Sequence, residues 1–100
     1  MSDTSIKLLT LIAERELEKI LCQEIIKAGA KGYTITDVRG RGSRGVQDGS
    51  WDSASNIRIE IICPASIADG IMQIIAQRYS EHYGIVMFVV DTEVWRRDKF

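Results

Sequence analysis

"NIRIEIIC", residues 56–63, alternates two kinds of side chain. On an extended chain Ile57, Ile59 and Ile61 point one way and Arg58 and Glu60 the other, the period-two pattern of a half-buried β-strand. Pro64 ends the run, because it has no amide to give a ladder. Ser66, with Asp69 three residues later, reads as the cap of a helix. In that helix Ile67, Ile71, Ile75 and Tyr79 lie along one stripe at steps of four. It stops before Gly84, and "IVMFVVD" (85–91) follows as a final apolar strand.

Upstream, "YTITDV" (33–38) is β-branched and alternating, a strand again. Before it, "RELEKILCQEIIKAGAKG" (15–32) sets Leu17, Leu21, Ile25 and Ala28 on one helical face, with Ile20 beside them and charges opposite. Gly29 or Gly32 supplies the left-handed stop. "IKLLTLIAE" (6–14) is short and nearly all apolar, as a buried strand is. The order strand, helix, strand, strand, helix, strand predicts an α+β, ferredoxin-like βαββαβ fold: a four-stranded antiparallel sheet with two helices on one face. The first and last strands are apolar on both faces, so the sheet's other face needs a cover, and self-association is the economical one. The tail "TEVWRRDKF" (92–100) is expected to add a short strand or to cross a neighbouring subunit.

One hundred residues make a single domain, 1–100, and 45% hydrophobic with 27% charged residues fits an ordinary globular chain. The net charge of −1 argues against nucleic-acid or membrane binding through bulk charge. No apolar run approaches the roughly 20 residues of a membrane helix, and "MSDTSIK" lacks a signal-peptide core, so a cytoplasmic protein is expected. Cys22 and Cys63 share no metal-ligand spacing, and His82 is the sole histidine, which disfavours a metal site.

Positive charge gathers locally, in Arg39, Arg41 and Arg44 and again in Arg96, Arg97 and Lys99. "VRGRGSRGVQDGSWDSAS" (38–55) joins two strands by a loop longer than compact domains usually carry without a function. Gly40, Gly42 and Gly45 let its backbone turn N–H groups toward an anion, and Ser43 adds a hydroxyl. Arg41 and Arg44 each offer a planar fork suited to phosphate or bicarbonate. Thr34 and Thr36 lead into the loop within reach of a ribose or phosphate, and Arg58 stands on the outer side of the next strand. Plain β-favouring threonines and a cross-strand arginine are the structural alternative. Trp51 is a candidate anchor for a protein partner.

"GAKGYTITDVRGRGSRG" (29–45) resembles the segment of PII signalling proteins that runs from the first helix through the second strand into the T-loop. The element order agrees along essentially the whole chain. Two departures choose the branch. The loop lacks the tyrosine that nitrogen-signalling members modify, and "SEHYGIVMF" (80–88) replaces their glycine-rich basic turn. The series "KGYT…GRGSR…NIRIE…YGIV" looks closer to PII-like proteins associated with bicarbonate uptake and carboxysomes.

That resemblance implies a non-enzymatic homotrimer binding AMP or ADP, with ATP or cyclic AMP as further options, in clefts between subunits together with bicarbonate. It implies a movable T-loop, about 40–55, that reports inorganic-carbon and energy status to a bicarbonate transporter or carboxysome-related partner, with recruitment to the inner face of the membrane. It also assigns the adenine edge to main-chain groups of Gly84 and Ile85. The two-cysteine tail of some cyanobacterial relatives is absent, since this chain ends "RRDKF". Three other readings stand beside this one. An acylphosphatase-like enzyme would need a phosphate-cradling loop where "AERELE" (13–18) stands. An RNA-binding sheet would need aromatics, and Tyr33 and Phe88 are isolated. The last is another ferredoxin-like ligand-binding module.

Overall fold

The computed structural model describes residues 5–40, 56–79, 81 and 83–100. The strands are β1 (Ile6–Glu14), β2 (Thr34–Val38), β3 (Asn56–Pro64) and β4 (Val86–Asp91), and the helices α1 (Glu18–Lys27) and α2 (Ala65–Arg78). All pairings are antiparallel, in the spatial order β2-β3-β1-β4. This is the ferredoxin-like arrangement expected from the sequence, with β2 and β4 at the two edges.

Register decides what each face carries. Leu9 opposes Ile61, Leu11 opposes Ile59 and Ala13 opposes Ile57, and all six are buried in the core. Leu17, Leu21 and Ile25 of the first helical segment and Ala68, Ile71 and Ile75 of α2 close over them. Full burial of each such large side chain contributes about 1.5–3 kcal/mol, so this layer holds the domain together. The other face carries Leu8, Ile12 and Ile62, half-buried, and Val86, Phe88 and Val90, exposed. The cross-strand pairs Leu8–Ile62, Leu8–Val90 and Ile12–Val86 place them on one apolar half-face over β1 and β4.

Several local expectations are corrected. Ile20 is 42% exposed rather than packed beside the core stripe, because it lies on the far side of α1 from Leu21 and Ile25. Ser66 does not cap α2: the helix begins at Ala65 with Pro64 as N-cap and no side-chain cap bond. The chain turns there through the Ala65 amide, which donates to the Ser5 carbonyl at 3.0 Å. Pro64 is thus both the last residue of β3 and the first boundary of α2. A 3-10 turn, Arg15–Leu17, precedes α1. Strand two starts at Thr34, not Tyr33, and the tail forms a 3-10 turn at Arg97–Lys99 rather than a strand.

Of the two glycines offered as the stop of α1, Gly29 is the one. It has φ +114°, and its amide donates to Ile26 while the Ala30 amide reaches back to Ile25. Those bonds satisfy carbonyls that the helix end would otherwise leave unpaired.

Candidate functional site

Alternation along β2 sorts its residues. Ile35 opposes the buried Ile59, so Tyr33, Ile35 and Asp37 belong to the helix side and Thr34 and Thr36 to the open side. Thr36 stands directly opposite Arg58, and Thr34 opposite Glu60. Directly opposed side chains have Cβ atoms about 4.5–5.5 Å apart, within reach of a common ligand. Thr34, Thr36 and Arg58 are all exposed, and Arg58 has no ion-pair partner among the described residues. Three of the expected site residues therefore meet: two hydroxyls and an exposed guanidinium on the polar half of the open face. Glu60 joins them. It shares the alternation of Arg58, which is the signal that could have singled it out.

Gly84 and Ile85 are not brought to that cluster. They precede β4, at the opposite edge of the sheet, three inter-strand steps or roughly 14 Å from β2. The Ile85 amide is already taken by the Tyr83 carbonyl at 3.0 Å, and its side chain packs against the core. Gly40 is exposed, with open space where a Cβ would stand. Arg41, Gly42, Ser43, Arg44 and Trp51 lie outside the described residues.

A groove of about 790 Å³ runs instead along α1 and the turn before it, reaching Tyr33 just ahead of β2. Arg15, Lys19, Cys22, Ile26 and Tyr33 are among its lining residues, and none of the expected site residues touches it. Nothing in the sequence pattern marks it, since Ile26 and Tyr33 read as ordinary apolar positions. Burial pushes the Cys22 thiol up, and the Tyr33 hydroxyl, hydrogen-bonded to Cys22, is raised by that contact. Burial likewise raises Cys63. Both thiols stay protonated at neutral pH, poor nucleophiles and poor metal ligands. Among the described residues no three His, Cys, Asp or Glu side chains are grouped to hold a metal ion, and no helix is long and apolar enough to cross a membrane.

A sheet in the order β2-β3-β1-β4, two helices on one face, and a polar cluster beside an arginine- and glycine-rich connection define a class. Residues 6–99 match the family model of nitrogen regulatory protein P-II, and the chain belongs to that family of signalling regulators. Within it, the chain is a PII-like protein of the CPII group. A PII-like signaling protein from Thermus thermophilus is similar at 41% identity and a TM-score of 0.81, over 100% of this chain and 99% of that one. CPII from Thiomonas intermedia, solved bound to ADP and bicarbonate, is similar at 30% identity and a TM-score of 0.81, over 95% and 93% of the two chains. The same CPII bound to ADP, AMP and bicarbonate matches at 27% identity and a TM-score of 0.76, over 91% and 93%.

Proposed function

We propose that this chain is a non-enzymatic regulator that binds AMP or ADP together with bicarbonate and signals inorganic-carbon and energy status. The juxtaposition of Thr34, Thr36 and Arg58 carries this reading: hydroxyls and a guanidinium with no ion-pair partner among the described residues, beside the root of the 38–55 segment, suit a phosphate or bicarbonate. The CPII structures holding ADP, AMP and bicarbonate support the choice of ligands.

The nucleotide occupies a cleft between subunits. Gly84 and Ile85 stand at the edge opposite Thr36, so one nucleotide meets both groups only where β2 of one copy approaches β4 of another. The apolar half-face of Leu8, Ile12, Ile62, Val86, Phe88 and Val90 gives a homotrimer its contact surface. Arg41, Gly42, Ser43 and Arg44 supply further anion contacts. The T-loop, about 40–55 with Trp51, carries the signal to a bicarbonate transporter or carboxysome-related protein, drawing the regulator from the cytoplasm to the membrane. Ligand drives that change only as far as it binds one loop arrangement more tightly than another.

Calorimetric titration of ADP and AMP, with and without tens of millimolar bicarbonate, tests the reading. Tighter nucleotide binding in bicarbonate is the expected result. Binding indifferent to bicarbonate reduces the reading to adenylate sensing, and no binding removes it.

A further inference from the structure

β2 is an edge strand. Among the described residues it pairs with β3 alone, none of its five residues is fully buried, and only Ile35 packs against the core from its helix side. Yet β2 carries Thr36 and leads into Arg39 and the loop. A strand held by one ladder frays from its free end unless something else ties that end down.

Within one copy, such a tie is an ion pair. Arg15 Nη2 lies 3.0 Å from Asp37 Oδ1, which joins the 3-10 turn before α1 to the penultimate residue of β2. Asp37 is on the helix side of the strand, opposite Ile57, while its neighbour Thr36 faces the open side opposite Arg58. A bond that fixes Asp37 therefore fixes the direction in which Thr36 is presented. It acts one residue before Val38, whose pairing with Asn56 closes the stem of the loop.

We infer that Arg15 and Asp37 are positioning residues: their ion pair struts the loop-ward end of β2 in the arrangement that meets ligand. This rests on the nucleotide-binding reading above and adds residues to it on the face of the strand away from the ligand. A ligand-driven switch needs two arrangements close in free energy, so a modest bias passes directly into apparent affinity. Both side chains are substantially exposed, at 47% and 67%. The pair is consequently a small bias and no pillar of stability, and its loss shifts the equilibrium about two- to five-fold.

The experiment compares wild type with Asp37→Asn, Arg15→Gln and the swap Arg15→Asp/Asp37→Arg. Hydrogen exchange is followed at Thr36–Val38 in the ligand-free protein, and ADP affinity is measured in parallel. Both single variants should exchange about two- to five-fold faster at the end of β2 and bind ADP weaker by a similar factor. The swap should restore both quantities, which a merely structural loss would not allow. Unchanged exchange in the single variants overturns the strut. Faster exchange with unchanged ADP affinity overturns its role in the site. Wild-type protein that takes no ADP overturns the functional reading, and this inference with it.

Discussion

Tyr79 donates its phenolic hydrogen to Glu24 Oε2 at 2.8 Å, and Arg78 Nη1 donates to the same oxygen at 2.8 Å. One carboxylate oxygen on α1 thus collects the end of α2. The Tyr79 hydrogen bond first, and the Arg78 bond and charge after it, hold the Glu24 carboxyl below its ordinary value. A lowered folded-state pKa means that the clamp stabilises fully above the unfolded value of about 4.5 and fades as pH falls through the lower folded value. Glu24→Gln should lower the melting temperature at pH 7, and the gap to wild type should close on acidification below pH 4.5. A gap of constant size across that range would show that the clamp is not electrostatic.

Gly29 answers to both backbone and space. Alanine there would be held at φ +114° with its Cβ 2.9 Å from Ile67 Cδ1. The side-chain tip can give way, but the backbone cannot relax without undoing the end of α1. Gly29→Ala should cost about 1–3 kcal/mol in denaturant unfolding.

Gly70 is the opposite case. It sits inside α2 with nothing within 4 Å of the place a methyl group would take, and its φ is not in the left-handed region. Gly70→Ala should stabilise by about 0.5–1 kcal/mol, read by the same unfolding measurement.

Arg58 separates binding from folding. Its side chain is exposed and unpaired among the described residues, so Arg58→Ala should change stability by no more than about 0.5 kcal/mol. A charge-assisted bond to a ligand anion is worth about 1.5–3 kcal/mol. Calorimetry should therefore show ADP affinity, measured in bicarbonate, falling at least tenfold.

Phe88 tests the apolar half-face. It is 47% exposed and projects from an edge strand. Phe88→Glu would bury a charge wherever copies meet, so light scattering should report a smaller species than wild type while circular dichroism stays unchanged.

Much of this architecture can be read from the chain. The alternation of Ile57, Ile59 and Ile61 predicts their burial correctly, because a period of two leaves a strand no other way to face its core. Ile20 misleads because it stands three residues after Leu17, a spacing that shares a face only within one continuous α-helix; Leu17 lies in the preceding 3-10 turn, and the buried stripe of α1 is Leu21, Cys22 and Ile25. Ser66 has the right chemistry for a cap. What it lacks is position: the Ala65 amide bonds to Ser5, distant in the chain, and the helix starts two residues earlier than a cap at Ser66 would set it. For the site, alternation predicts that Thr36 and Arg58 each face outward. Their meeting depends on a register between separate strands, which no local pattern encodes. Asp37 is invisible to such patterns for the same reason: its partner, Arg15, comes from another layer of the fold.

Val38 and Asn56 are cross-strand partners, so the segment between them is joined to the sheet at one doorway. For a free chain closed at both ends, doubling the length costs only about 0.6 kcal/mol, less than one buried isoleucine contributes. The doorway therefore insulates the inheritance of the core from the history of the segment it encloses. Insertions, deletions and new recognition sequences can accumulate there while the sheet is inherited unaltered. A single scaffold can in this way acquire new correspondents over evolutionary time, and a designer can graft a foreign peptide at the same place.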